Sequence, residues 1–142
     1  MRETYNFRPV DETLATAGQP TEAQFRSIAE HGFEVVINLA PNAGEAEFVR
    51  SLRMTYIHIP VNFAAPTEQD LQQFCDAMDA NAVRKRFVHC AANKRVSAFI
   101  GLYRVIRLHW DREPAFDLMR SLWQPDPVWQ SFIDDMIAKH EK

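Results

Sequence analysis

Cysteine is nearly absent from the chain, with only Cys75 and Cys90 in 142 residues. Two thiols cannot build a disulfide framework, so a reducing, cytoplasmic setting is expected. The five histidines and two cysteines show no close ligand spacing, and no metal or cofactor is expected. Long apolar runs are missing too: none approaches the roughly 20 residues of a membrane span. The polar start Met1-Arg2-Glu3-Thr4 carries no signal-peptide core, so no membrane partner is expected. Positive charge is scarce, with a net charge of −3 and no Lys/Arg run longer than Arg84-Lys85-Arg86. That argues against a nucleic-acid partner and leaves room only for a local basic pocket.

What is present is ordinary for a globular domain: 46% apolar and 25% charged residues, enough to bury one core. No repeat, low-complexity tract or linker divides the chain, so residues 1–142 read as a single domain. Short strands are expected at Tyr5–Arg8 and Leu14–Ala17, followed by a turn at Gly18-Gln19-Pro20. Thr21 and Gln24 form a capping box for a first helix, and Gly32 suits its left-handed end. The β-branched run Phe33–Leu39 has the character of a buried strand. A short helix at Glu45–Leu52 and a strand at Met54–Pro60 follow. Pro66-Thr67 opens a helix that places Leu71, Phe74, Cys75 and Met78 on one side, so Cys75 is read as core. Arg86–His89 is a short strand, and the Arg84–Arg86 cluster before it reads as a solvated turn. From Val96 to about Trp110 apolar residues surround most of the helix circumference, the mark of a central buried helix. Helices near Pro114–Trp123 and Pro127–Lys139 complete the chain. Strands alternating with helices, then a helical tail, predict an α/β domain with a mostly parallel central sheet flanked by helices.

The chemistry concentrates in Phe87-Val88-His89-Cys90-Ala91-Ala92-Asn93-Lys94-Arg95-Val96-Ser97. A strand runs into Cys90, a loop of small and polar residues comes next, and an apolar helix begins at once. Cys90 is thereby expected at the carboxyl end of a strand, where clefts form in α/β sheets. The next helix aims its unsatisfied N–H groups and partial positive charge at the loop. Such a position favours the nucleophilic thiolate over the thiol. The loop amides from Ala91 to Val96 can cradle an oxyanion, with Arg95 as a bidentate clamp. Asn93 stands where a tight cradle needs φ > 0, a conformation Asn tolerates better than most residues. Ser97 is placed to hydrogen-bond the Cys90 sulfur, and Lys94 either adds to the anion field or is a solvated loop residue. His58 reads as a satisfied core or edge histidine rather than a catalyst. Trp110, Trp123 and Trp129 are expected to pack the helical tail on the sheet or to line a homodimer contact.

The segment Val88-His89-Cys90 to Arg95-Val96-Ser97 resembles the signature loop of the Cys-dependent protein tyrosine and dual-specificity phosphatases. Those enzymes commonly place five residues between Cys and Arg. Here four intervene, Ala91 to Lys94, which is similar to a bacterial branch, the β-lactamase-hydrolase-like phosphatase family. Ala17-Gly18-Gln19-Pro20, Gly32-Phe33 before Val36-Ile37-Asn38-Leu39, and Tyr56-Ile57-His58-Ile59-Pro60-Val61 resemble further stretches of that branch. The resemblance implies a protein tyrosine phosphatase-like fold and a phosphate-containing substrate or oxyanion as partner. It makes Cys90 the nucleophile, Arg95 the phosphate clamp, His89 a shaper of the loop and Ser97 an aid to breakdown of a cysteinyl phosphate. Residues Ala91, Ala92, Asn93, Lys94, Arg95 and Val96 would bind the phosphate. The family usually has Gly where Asn93 stands. It also carries a general-acid Asp after the Pro60-Val61 strand, where this chain has Asn62-Phe63-Ala64-Ala65-Pro66. Glu68 and Asp70 come just after, at positions that helix-dipole stabilisation also explains. Hydrolysis of phosphomonoesters through a cysteinyl phosphate is therefore the first expectation, with turnover weak or degenerate for want of a clear general acid. A rhodanese-like sulfurtransferase and a non-catalytic phosphate-binding module are the alternatives.

Overall fold

A computed structural model describes residues 1–140. It contains five strands: β1 (Arg8–Asp11), β2 (Leu14–Ala17), β3 (Val35–Asn38), β4 (Thr55–His58) and β5 (Arg86–His89). They form one sheet in the order β1-β2-β5-β3-β4. The pairs β2–β5, β5–β3 and β3–β4 are parallel, and only the β1–β2 pair is antiparallel. Pro9 sits in β1, at the sheet edge, where a missing N–H costs no ladder bond. The inner strands β2, β3 and β5 are buried along their whole length, as expected of parallel strands covered on both faces.

Strand alternation divides the core. Leu14, Val35, Ile37 and Val88 point to one side with the helices α3 (Glu68–Ala80), α4 (Lys94–Ile106) and α7 (Pro127–His140). Ala15, Ala17, Val36 and Phe87 point to the other, against α1 (Glu22–Glu30) and α2 (Ala46–Ser51). The helix after β5 thus covers the opposite face from the helices after its neighbours β2 and β3. Such a switch opens a crevice at the carboxyl end of β5, immediately before Cys90.

Local signals place the helices well. Thr21 caps α1 in a full capping box with Gln24, and Thr67 does the same for α3 with Asp70. Gly32 follows α1 with φ +87°. Every residue of α4 from Arg95 to Tyr103 is buried, which makes it the central helix. No helix among the described residues is long and apolar enough to cross a membrane.

Three expectations need correction. The first strand begins at Arg8, because Tyr5 and Asn6 belong to a turn in which Phe7 N donates to Thr4 O and Asn6 has φ 50°. The expected helix at Pro114–Trp123 is two short ones, α5 (Arg112–Ala115) and α6 (Asp117–Arg120), parted at Phe116. The basic cluster is not a solvated turn. Arg86 is buried within β5 and donates to Met78 O, Lys85 Nζ donates to His31 O, and Arg84 binds Asn81 and Thr55.

Phe116, at the break, packs its ring on α4 at Gly101. A β-carbon at Gly101 would stand 2.2 Å from that ring. Gly101→Ala gains about 1 kcal/mol of helix propensity. It loses about 1–3 kcal/mol to overpacking, since a buried Phe cannot retreat freely. Urea unfolding should show a net loss of stability, and a stabilised variant would contradict this packing.

Candidate active site

The loop after β5 is strapped from behind by two other parts of the chain. Cys90 N donates to Ala17 O at 3.3 Å, and Gln19 N donates to Ala91 O at 3.0 Å. Asn6 Nδ2 donates to Ala92 O at 3.0 Å. Gly18 N in turn donates to Tyr5 O at 2.6 Å, which joins the two straps to each other. The loop backbone therefore has fixed partners along its outer side, and its inner side faces the start of α4.

Asn93 makes this possible. It adopts the left-handed conformation, φ 63° and ψ 16°, at the N-cap of α4. Its side chain does not cap the helix. It reaches backwards instead, donating to Asn6 O at 3.0 Å and to Thr16 Oγ1 at 2.9 Å. The first amides of α4 are left without a side-chain acceptor, at the end of the helix that attracts anions.

Cys90 lies fully buried at the base of this turn. Arg95, one residue into α4, is also buried, and its Nη1 donates to Val61 O at 3.1 Å. Its Nε is buried with no hydrogen-bond partner among the described residues. Phe63 lies 5.8 Å from the Arg95 guanidinium, and the Lys94 ammonium stands over both Phe63 and Trp123. Phe63 packs on Trp123 and Trp129, each at 5.7 Å, and Trp129 Nε1 donates to Phe63 O at 2.8 Å. Trp123 and Trp129 thus reach the rim of the site, whereas Trp110, expected to pack with them, is exposed with Arg104 over its ring.

Ser97 departs from expectation in its partner. Its hydroxyl donates to Lys94 O and accepts from Trp123 Nε1, both at 3.1 Å. Having a single proton, it uses it on the carbonyl three residues back. Among the described residues no hydrogen bond joins Ser97 to Cys90. His89 is fully buried, with Nδ1 3.3 Å from Cys90 O and Nε2 2.5 Å from Glu45 Oε2. Glu45 has no signal in the sequence, standing 44 positions from its partner. It also accepts from Gln19 Nε2 at 2.7 Å and from the Tyr56 hydroxyl at 3.1 Å. Burial works to raise its carboxyl, but the hydrogen bonds from His89, Gln19 and Tyr56 outweigh this and hold it below the usual range.

The segment after β4 brings no carboxylate inward. Asn62 Oδ1 accepts from Ala64 N in a tight turn. Glu68 pairs with Lys139 and His140 of α7, and Asp70 completes the capping box with Thr67. His58 is the satisfied edge residue expected, with Nε2 on Ala40 O at 2.6 Å. Cys75 is a core residue whose thiol burial pushes up to about 12.

Residues 3–126 match the family described as DSP-PTPase phosphatase fused to NAD+ kinase. The chain belongs to this family. Among the relatives of this phosphatase-type domain, the β-lactamase hydrolase-like protein of Xylella fastidiosa is 31% identical over 130 residues, 80% of this chain. The domain spans only 30% of that protein's length. The phosphatase-like DUF442 protein of Shewanella putrefaciens CN-32 superposes with a TM-score of 0.86 at 29% identity, covering 98% of this chain and 95% of that one. At 14% identity, TpbA of P. aeruginosa shares the fold alone, with a TM-score of 0.76 over 97% of this chain and 92% of its own.

Gly18 tests the strapping of the loop. A β-carbon there would stand 2.5 Å from Ala91 O and 2.9 Å from the Tyr5 ring. Gly18→Ala must push the Ala91 carbonyl away and loosen its bond from Gln19 N. Amide exchange at Gln19 should accelerate about tenfold or more, while Val88 in the sheet stays protected. Unchanged exchange at Gln19 would show that the loop does not depend on this contact.

Proposed function

We propose that this domain hydrolyses phosphomonoesters through a cysteinyl-phosphate intermediate, without a metal. The observation that carries the reading is the buried pair of Cys90 and Arg95 across an uncapped helix start, with Arg95 Nε lacking any protein partner among the described residues. A tetrahedral anion bound there would meet the α4 amides and the guanidinium together. The Cys90 thiolate attacks phosphorus, the P–O bond to the leaving group breaks, and a P–S bond forms. Water then attacks phosphorus, releasing phosphate and restoring the thiolate. Arg95 and the loop amides stabilise the charge on the equatorial oxygens in both steps. Ser97 serves through the loop rather than on the sulfur, because its proton is committed to Lys94 O. Sulfur transfer is not favoured, since the family match and the superposed DUF442 protein are both of phosphatase type.

Cys90→Ser should abolish hydrolysis of small aryl phosphates while leaving binding of inorganic phosphate nearly intact. Wild-type activity in that variant would refute covalent catalysis. Arg95→Lys should lower kcat/KM by about 10²-fold or more, because an ammonium cannot reproduce the planar two-point contact. A mild effect would shift the reading to a binding module whose backbone does the work.

The segment Asn62–Pro66 offers no proton donor, so the leaving group must depart as an anion. Across a series of aryl phosphates the rate should fall steeply as leaving-group pKa rises. Glu68→Gln and Asp70→Asn should leave that slope unchanged, since Glu68 pairs with Lys139 of α7 and Asp70 caps the start of α3. A shallow slope that steepens in either variant would identify that residue as the acid.

A further inference from the structure

We propose that Glu45 is a positioning residue for the Cys90 loop, holding His89 as an imidazolium that donates from both ring nitrogens. The proposal rests on Cys90 being the nucleophile only for its catalytic meaning; the protonation state stands on geometry alone. Both partners of the ring are acceptors. Nδ1 faces the Cys90 carbonyl oxygen at 3.3 Å, and Nε2 faces Glu45 Oε2 at 2.5 Å. A neutral imidazole has one N–H and cannot satisfy both unless Glu45 itself carries a proton.

The donors around Glu45 argue that it does not. Asn38 Oδ1 accepts from Ala40 N, and its Nδ2 donates to Asn42 O, so backbone groups fix which way this amide points. The same Nδ2 donates to the Tyr56 oxygen at 2.9 Å, which turns the Tyr56 proton toward Glu45 Oε2. Gln19 Nε2 donates both to Pro20 O and to Glu45 Oε1, so its orientation is fixed as well. Both carboxylate oxygens are thus supplied with donors before His89 is counted, the pattern of an ionised acid. Burial pushes the Tyr56 phenol up, which keeps it a donor.

The remaining surroundings of His89 are neutral. Its sheet partners are Ala17 on β2 and Asn38 on β3, and the Phe25 ring of α1 lies 5.7 Å away at 66° to the imidazole. From α2, Arg50 stands over the Tyr56 ring at 5.8 Å. Cys90 is the one titratable group bonded to His89 on its other flank, through its carbonyl. A cation held there fixes the Cys90 carbonyl and adds positive charge beside the residue that needs to be anionic.

The test is side-chain ¹⁵N NMR of the full chain, labelled at histidine, together with iodoacetamide alkylation of Cys90 read by mass spectrometry across pH. Both His89 nitrogens should be protonated at pH 7. In Glu45→Gln, His89 should carry one proton, and the Cys90 alkylation profile should move about one pH unit upward. A singly protonated His89 in the wild-type chain overturns the proposal even if the variant fails to fold. So does a folded Glu45→Gln variant with both signals unchanged. Neither readout requires turnover, so a domain inactive toward every phosphoester could still bear out the Glu45 proposal, and an active one could refute it.

Discussion

One four-residue strand, Arg86–His89, sets nearly everything else in place. It is hydrogen-bonded on both sides by parallel partners, and all four of its residues are buried. A strand so placed cannot shift register without moving β2 and β3 together. The loop and helix beyond it inherit that rigidity: Cys90 begins where the ladder ends, and α4 runs directly into the larger core. A bound anion would then meet donors that are already oriented, and no chain would need to be ordered when it binds. The helices on the two faces do not merely bury apolar surface. By leaving the carboxyl end of β5 between connections that diverge, they create the kind of crevice at which open α/β sheets bind ligands.

How much of this the chain displays in advance depends on the distance over which each interaction acts. The caps Thr21–Gln24 and Thr67–Asp70 span three residues, and both are readable because helix starts are decided locally. The αL conformation of Asn93 is readable for the same reason. The partners of that residue are not. Asn93 reaches 87 positions to Asn6 and 77 to Thr16, and nothing in a turn residue announces which distant oxygen it will hold. Glu45 is the sharpest case. In sequence it is one more acidic residue near a helix start, and only the pairing of β3 with both β4 and β5 brings it to His89.

The misread elements share a cause. Arg84-Lys85-Arg86 looks solvated if charge alone is weighed, yet strand pairing takes precedence and Arg86 carries its guanidinium into the protein. Its Nη1 finds Met78 O, while its Nε is left without a partner among the described residues. The helix expected over Pro114–Trp123 is broken by a packing demand that no propensity records, the seating of Phe116 on Gly101. In each instance a tertiary contact overrides what the local sequence favours.

The same reasoning bears on the segment after β4. Its backbone is not free to swing, because two of its carbonyls are engaged by side chains from the helical layer. Val61 O accepts from Arg95, and Phe63 O accepts from Trp129. Between these anchors the Phe63 ring packs against Trp123 and Trp129 and lies beside both cations of the loop. A carboxylate entering this corner would need to displace an aromatic cluster that also supports Arg95. Glu68, meanwhile, is drawn outward by Lys139 and His140. Phe63 therefore does more than occupy a place where a proton donor could have stood. The contacts that surround the Arg95 guanidinium also fill this corner, so a carboxylate could enter only if that packing were rebuilt.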